Sequence, residues 1–260
     1  MSNCRFYSAE HLQIGASVKL SDNAAAHATR VLRLEISDEI VLFNGDGNDY
    51  TCAISSIKKN EALVIVKTFV KITNESPLNI TLLQGISSGD RMDYTIQKAV
   101  ELGVTAIVPI ITTRSVVKLS NERAEKRLAH WQSIVHAACE QSGRAFVPTV
   151  ATPLTLSAWL ATTPSPFKGV GWGEGKTPPT RILLNPIGAL RLSELPKPTG
   201  NIELRPVELL VGAEGGLSQS EIDTALSHGF QSVVLGARIL RTETAALVAI
   251  AAMQTLWGDF

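Results

Sequence analysis

From residue 79 onward, short apolar runs rich in β-branched residues alternate with longer segments of helical periodicity. NITLLQGI precedes a predicted helix over about 90–102, and TAIVPII precedes another over about 122–141. The runs RILLN, ELLVG and SVVLG follow, with a helix after each of the last two. Such alternation favours an α/β fold in which a mostly parallel sheet carries helices on both faces.

The preceding residues have a strand-rich pattern. EIVLF, YTCAISSI and ALVIVKTFV follow one another between residues 39 and 70, and the Asn44-Gly45 pair separates the first two. Alternating β-branched residues on either side of an Asn-Gly turn predict β-hairpins. Residues 23–33 predict a short helix capped by Ser21 or Asp22. We therefore predict a small β domain over residues 1–72, a linker over 73–79 and the α/β domain over 80–260.

Size and charge restrict the class of protein. A chain of 260 residues exceeds what one core usually supports, which agrees with two domains. The net charge is zero, so any nucleic-acid site must be a local basic patch rather than a general coating surface. Three scattered cysteines predict reduced thiols and no metal site. The chain start lacks a signal-peptide pattern and no apolar run is long enough for a membrane span, so we expect a soluble cytoplasmic protein.

A glycine-rich turn follows the strand-like run ELLVG. Gly212, Gly215 and Gly216 surround Glu214, and Ser218 with Glu221 forms an S-x-x-E capping box that starts a helix. Glycines beyond the carboxyl end of a parallel strand let the backbone approach a ligand. A tight strand-to-helix connection without a ligand has the same pattern, so both interpretations stay open.

Charged residues follow the next strand-like run, SVVLG. Arg238, Arg241 and Glu243 lie within one turn, before a helix with no charge between Glu243 and Asp259. Charges at the end of a buried strand must be paired or face a ligand, which favours a site. The alternative is an arginine–Glu243 ion pair that caps the helix. We expect the uncharged helix to be buried against its own sheet or a partner subunit.

Two further segments give weaker signals. Glu140, Gln141 and Arg144 offer an acceptor, an amide and a cation at the end of a helix, although a solvated helix end looks almost the same. The glycine run at 169–175 lacks the flanking strand and helix of a dinucleotide fingerprint, so we interpret it as a loop.

Together these motifs resemble one family, the ribosomal RNA small subunit methyltransferase E (RsmE) family of the SPOUT superfamily. The resemblance extends over most of the chain outside 148–179. It rests on motifs in both predicted domains, namely RVLRL at 30–34, LFNGDG at 42–47, GDRMD at 89–93, QKAVELGV at 97–104, EQSGR at 140–144, GAEGG at 212–216 and LGARILRTETA at 235–245.

The resemblance implies a PUA-like RNA-binding barrel followed by a SPOUT-type α/β methyltransferase domain with a C-terminal trefoil knot. It further implies a homodimer that uses S-adenosyl-L-methionine to methylate N3 of a uridine, uracil 1498, in 16S ribosomal RNA of the 30S subunit. Two positions depart from the family, which usually has proline where this chain has Ala213 and often lysine where it has Ser88.

Methyl transfer to uridine N3 needs a base for the leaving proton and a cation for the charge on the carbonyls. We expect Arg241 or Arg144 to be the cation, and Glu243 or Glu140 the acceptor or orienting group. The expected cofactor-binding residues are Leu184, Gly212, Glu214, Gly215, Gly216, Leu235, Gly236, Leu240 and Thr244. The expected RNA contacts are Arg5, Arg30, Arg33 and Arg114.

Two other functions stay open at this point. A non-catalytic RNA-binding or ribosome assembly protein would keep the fold without the activity, although the intact 241–244 cluster argues against it. A related enzyme would act on transfer RNA or another ring position, a difference that depends on pocket geometry.

Overall fold

The computed structural model describes residues 4–59, 61–115, 121–162, 178–198 and 205–260. The glycine run at 169–175 lies outside the described residues. The chain forms two compact units, one of Met1–Glu75 with His136–Val147 and one of Ser76–Val135 with Pro148–Phe260. Residues 136–147 thus belong to the first unit, whereas the sequence-based division places them in the second.

The first unit is built on a five-stranded sheet. Its elements are the strands β1 (Arg5–Tyr7), β2 (Ser17–Lys19), β3 (Glu39–Phe43), β4 (Asn48–Lys58) and β5 (Glu61–Lys71) and the helix α1 (Asp22–Ala26). The strand order is β1-β3-β4-β5-β2, and only the β1–β3 pairing is parallel. Alternate residues of β4 and β5, such as Cys52, Ile54 and Val64, are buried, which agrees with the predicted hairpin pattern.

The predicted helix near residues 23–33 is only partly α-helical. Its first turn is capped by Ser21, whose Oγ accepts from the Ala24 N–H at 3.2 Å. After Ala26 the helix continues as a π-helix over His27–Val31. Arg33 then takes a left-handed conformation (φ 55°), which ends the helix.

Long-range contacts explain why residues 136–147 join the first unit. The Arg144 guanidinium binds Glu75 through two N–H donors, with Nη2 2.5 Å from Oε2. The His136 ring stacks on Tyr7 with centroids 3.7 Å apart. These partners are distant in sequence, so local patterns carry no signal for them.

The second unit contains the predicted parallel sheet. Its strands are β6 (Leu78–Gly85), β7 (Val104–Ile111), β8 (Thr149–Val150), β9 (Leu154–Thr155), β10 (Thr180–Leu184), β11 (Leu190–Arg191), β12 (Arg205–Val211) and β13 (Gln231–Val234). Every pairing among them is parallel, in the order β11-β13-β10-β12-β6-β7-β8, with β9 also on β7. The α/β expectation is confirmed.

Helices cover both faces of this sheet. They are α2 (Gly89–Glu101), α3 (Asn121–Ser142, which ends in the first unit), α4 (Leu156–Thr162), α5 (Gln219–Ser227) and α6 (Thr242–Trp257). Leu82 and Leu83 are neighbours on β6 that point to opposite faces, and both are fully buried. No helix among the described residues has the length and apolarity of a membrane span. The chain crossing of a knot stays a prediction.

The helix α6, which has no charged residue after Glu243, is buried on one side only within a single chain. Ala246, Ala249, Ile250 and Met253 are fully buried, but Val248 and Leu256 are 41% and 44% exposed. The expectation that α6 is covered nearly all round is therefore not met by its own chain.

Candidate active site

A cavity of about 730 Å³ lies in the second unit, where β10, β12 and β13 end. Two segments that the sequence singled out form much of its wall. We call them the glycine loop (residues 212–216) and the arginine turn (residues 235–241). Leu184 at the end of β10 lines it as well, as do Asn185 and Ile187 just beyond the strand. Because the carboxyl ends of parallel strands meet at one sheet edge, segments far apart in sequence converge here.

Local geometry shapes the glycine loop. The Gly216 N–H donates to the Ala213 carbonyl at 2.8 Å, and Gly216 has a φ of +68°, a region that favours glycine. A Cβ on Gly212 would lie 2.8 Å from the Gly216 carbonyl carbon, so the turn needs glycine there too. The predicted capping box follows, with Ser218 N–H donating to Glu221 Oε2 at 2.8 Å.

A buried threonine joins the glycine loop to two other elements. Thr242, the first residue of α6, donates its hydroxyl to the Gly212 carbonyl at 2.5 Å. The same hydroxyl accepts from Gln84 Nε2 at 2.9 Å, and Gln84 belongs to β6. Next to it, a Cβ on Gly85 would lie 2.3 Å from the Ala213 nitrogen. The ends of β6 and β12 therefore pack backbone to backbone, and Thr242 fixes α6 to both.

Glu214 is held by the first turn of α2. Its Oε1 accepts from the Ser88 N–H and hydroxyl, both at 2.9 Å, and from Arg91 Nη1 at 3.2 Å. Partial desolvation raises the pKa of Glu214, but the Ser88 hydrogen bonds and the Arg91 charge outweigh it and lower that pKa below its ordinary value. Glu214 is therefore a carboxylate at neutral pH.

The arginine turn presents positive charge to the cavity. Arg238 and Arg241 both line it, and both are exposed. Within the described part of the chain, neither side chain forms a hydrogen bond or an ion pair. The alternative of an Arg238 or Arg241 ion pair with Glu243 is therefore not realised.

Glu243 has a different environment. Its nearest cation is Arg91, with Nε 4.0 Å from Oε1. Its Oε2 is buried without a hydrogen-bond partner among the described atoms, and the residue lines the cavity. A buried carboxylate oxygen without a partner carries a desolvation cost that an approaching donor relieves.

Three other residues that the sequence predicted as catalytic or RNA-binding, Arg5, Arg144 and Glu140, have partners inside the first unit. Arg5 binds Asp49 at 2.6 Å and donates to the carbonyls of Cys139 and Arg144. The Arg144 guanidinium is held by Glu75. Glu140 accepts from the Tyr7 N–H at 2.9 Å, and burial raises the pKa of its carboxyl. These contacts stabilise the first unit, whereas every residue lining the cavity belongs to the second.

Most of the remaining predicted residues line the cavity. Arg114 lines it and donates from Nη1 to the Gly215 carbonyl at 3.2 Å. Leu184, Leu235, Gly236 and Leu240 also line it, whereas Thr244 is exposed on α6 and is not among its described lining residues. Arg30 and Arg33 are exposed in the first unit.

Sequence reasoning gave no role to Arg91, Asn185 and Ile187, although all three line the cavity. Asn185 and Ile187 directly follow the RILL strand, so a strand-end rule could have found them. Arg91 lies within the GDRMD motif but lacked a partner in the local sequence.

Comparison with known proteins identifies the family. Residues 74–254 match the family model described as an RNA methyltransferase domain, and residues 20–67 match the RNA methyltransferase PUA domain. The ribosomal RNA small subunit methyltransferase E of Buchnera aphidicola subsp. Schizaphis graminum is 34% identical over 256 residues, 98% of this chain and 97% of that protein. The chain belongs to the RsmE family.

Solved structures of similar proteins agree with the membership in the RsmE family. A ribosomal RNA small subunit methyltransferase E from Neisseria gonorrhoeae, bound to S-adenosyl methionine, is 45% identical with a TM-score of 0.86, and the match covers 99% of both chains. The putative methyltransferase Lpg2936 from Legionella pneumophila, in complex with the cofactor SAM, is 35% identical with a TM-score of 0.88 over 99% of both chains. The SPOUT-like fold with a PUA-like unit is thereby confirmed.

We call the hydrogen bonds that join Thr242 to Gly212 and Gln84 the Thr242 junction, and it gives a first prediction. Thr242→Val keeps the shape of the side chain but removes the hydroxyl donor to the Gly212 carbonyl and the acceptor of one Gln84 amide N–H, while the Gln84 bond to the Gly85 carbonyl remains. We expect the free energy of unfolding to fall by about 1–3 kcal/mol in urea titrations. Thr242→Ser is the matched control because it keeps the hydroxyl. Equal stability of the valine and serine variants would show that the junction contributes nothing.

Proposed function

We propose that this protein is an S-adenosyl-L-methionine-dependent methyltransferase that methylates N3 of a uridine, uracil 1498, in 16S ribosomal RNA of the small subunit. The observation that carries the proposal is the cavity in which the glycine loop faces two unpaired arginines and a buried carboxylate. The names of its relatives support the ribosomal RNA substrate. The base, the ring position and the nucleotide number follow from the family resemblance. A ribosomal substrate in turn agrees with a cytoplasmic location.

The cavity fits the methyl donor in size and chemistry. Its volume falls within the range of about 300–1,000 Å³ typical of small-molecule sites. Apolar side chains suit an adenine ring, backbone groups of the glycine loop suit polar edges, and the carboxylate of Glu214 suits cationic groups. We assign donor binding to Leu184, Gly212, Glu214, Gly215, Gly216, Leu235, Gly236 and Leu240. When bound, S-adenosyl-L-methionine supplies an electrophilic methyl group on a sulfonium. Thr244, which the sequence analysis predicted as a donor contact, is exposed on α6 and is not among the described lining residues, so we leave it out of this assignment.

Arg241 and Glu243 suit the two chemical tasks at the acceptor base. A uridine N3 must lose its proton as the methyl group arrives, and negative charge then spreads over the neighbouring carbonyls. The partnerless Glu243 Oε2 suits an acceptor or orienting group for that proton. The unpaired Arg241 guanidinium suits stabilisation of the carbonyl charge. We prefer this pair to Arg144 and Glu140, whose side chains are already bound in the first unit.

Replacement of Arg241 tests the assignment. Arg241→Ala should abolish turnover, a loss of about a hundredfold or more, because the developing charge loses its counterion. Donor affinity measured by calorimetry should stay close to that of the wild type. Arg123→Ala, which removes an exposed arginine of α3 that does not line the cavity, is the control. Wild-type turnover in Arg241→Ala would reject the catalytic role.

The modified nucleotide can be identified directly. Mass spectrometry of 16S ribosomal RNA from cells with and without the gene should show one methyl mark missing at N3 of a single uridine. Naked RNA and assembled 30S subunits should then be compared as substrates in vitro. Loss of a mark on transfer RNA, or on another ring position, would assign the enzyme to a different substrate. Donor binding without any lost mark would favour a non-catalytic RNA-binding role.

We place the RNA-binding surface of the first unit around Arg30 and Arg33. Both are exposed, and the π-helix and the left-handed turn at residue 33 set the direction of the backbone that carries them. Arg5 is bound internally and so is left out of this surface. At the cavity edge, Arg114 is the proposed phosphate contact.

Salt dependence tests this surface. Replacing Arg30 and Arg33 together by glutamine should lower RNA affinity and reduce the slope of log K against log salt by about 2, because each lost phosphate contact accounts for about 1. The matched control replaces Lys58 and Lys59, two exposed cations of the same unit. An unchanged slope in the arginine variant would refute the RNA role of these residues.

We also propose that the protein acts as a homodimer through α6. The exposed apolar residues Val248 and Leu256 lie on that helix, and burying them in a partner would remove apolar surface from water. The absence of charge in α6 after Glu243, together with these exposed apolar residues, supports a contact with a second copy of the chain. Sedimentation analysis of the full chain measures the oligomeric state.

A further inference from the structure

Ser88 has an unusual environment for a helix-capping residue. It is the N-cap of α2, with φ −72° and ψ 135°, but its side chain makes no capping hydrogen bond. A serine at this position normally accepts from a backbone N–H of its own helix. Here the hydroxyl instead donates to Glu214 Oε1 at 2.9 Å, and the Ser88 N–H donates to the same atom. The side chain serves the glycine loop rather than its own helix.

Arg91, in the first turn of α2, donates to the same oxygen. Its Nη1 lies 3.2 Å from Glu214 Oε1, and its Nε lies 4.0 Å from Glu243 Oε1. One carboxylate oxygen thus has three donors from residues 88 and 91. We call Ser88, Arg91 and Glu214 the Glu214 brace. Hydrogen bonds to a charged acceptor are among the stronger ones in proteins.

The glycine loop needs such external contacts. Three of its five residues are glycines, which lose more conformational freedom on ordering than any other residue. The loop is held at Gly212 by Thr242, at Glu214 by the brace and at Gly215 by Arg114. Thr242 and Arg114 each make a single hydrogen bond to the loop backbone, whereas Glu214 is bound by both the Ser88 hydroxyl and the Arg91 guanidinium. A loop ordered before its ligand arrives loses less entropy on binding.

We propose that Ser88 is a positioning residue, which with Arg91 holds Glu214 and so preorganises the glycine loop for the methyl donor. Ser88 does not touch the donor in this scheme and acts through Glu214. The inference rests on the proposed assignment of the cavity to S-adenosyl-L-methionine.

Hydrogen–deuterium exchange of the full-length protein tests the preorganisation directly. Without ligand, amides at 211–217 should exchange faster in Ser88→Ala than in the wild type, and Ser88→Thr should restore slow exchange because it keeps a hydroxyl. Ser55→Ala is the matched control, since it removes an exposed serine hydrogen bond in the first unit. Equal exchange at 211–217 in Ser88→Ala and the wild type would overturn the proposal.

Donor affinity and kinetics give a second readout. Ser88→Ala should weaken S-adenosyl-L-methionine binding by about tenfold in calorimetry and raise its KM by a similar factor. The kcat at saturating donor should change by less than about twofold, because preorganisation acts on binding. In the Glu214→Ala background, Ser88→Ala should add less than about a twofold effect, since the residue through which it acts is gone. An undiminished effect in that background would refute action through Glu214.

A separate exchange measurement tests whether S-adenosyl-L-methionine binds in the cavity. Adding S-adenosyl-L-methionine to the wild type should slow exchange at 211–217 and at 235–241. Protection elsewhere, with none at these segments, would reject the cavity as the donor site. The ligand-free comparison of Ser88→Ala with Ser88→Thr still decides whether Ser88 orders the loop.

Discussion

One hydroxyl group joins α6 and the glycine loop, which border the cavity, to the neighbouring strand β6. Thr242 donates to the end of β12 and accepts from the end of β6, while it begins α6. Its burial makes these bonds necessary, because an amide or a carbonyl left without a partner in the interior costs free energy. The close approach of Gly85 to Ala213 adds a steric condition, since any side chain at residue 85 would push the two strands apart. The position of the cavity follows from these contacts.

Within each unit, the arginines divide into paired and unpaired groups. Arg181 is completely buried and neutralised by Glu208, and Arg144 is neutralised by Glu75. Arg91 is shared between Glu214 and Glu243. Arg238 and Arg241, by contrast, have no such partner among the described residues and face the cavity. A folded protein pairs the charges that it buries, and it leaves unpaired those that meet a ligand or solvent. This division separates structural from functional arginines better than their sequence context does.

Sequence patterns predicted the parts of the molecule that depend on local rules. The hairpins around Asn44-Gly45, the parallel sheet and the capping box at Ser218 each have a local signature in periodicity or turn chemistry. The convergence of the glycine loop and the arginine turn followed from the general rule on strand ends. By contrast, the affiliation of residues 136–147 with the first unit depends on Arg144–Glu75 and Tyr7–His136 contacts, which have no local signature. Glu140 and Glu243 look alike in sequence because both lie near helix ends, and only tertiary packing distinguishes their surroundings. The roles of Ser88 and Arg91 were missed for the same reason.

The bond between Gln84 and Thr242 joins residues that are 158 positions apart. Contacts of such long range form late in folding, since a large loop must close before the bond stabilises it. The cavity is therefore absent from any growing chain that stops short of α6, however well its earlier strands have paired. Synthesis from the N-terminus lets the first unit acquire most of its sheet first. Competence to hold a small-molecule ligand thus requires α6 as well as the earlier strands, which makes ligand binding a sensitive report that the second unit has reached its native state.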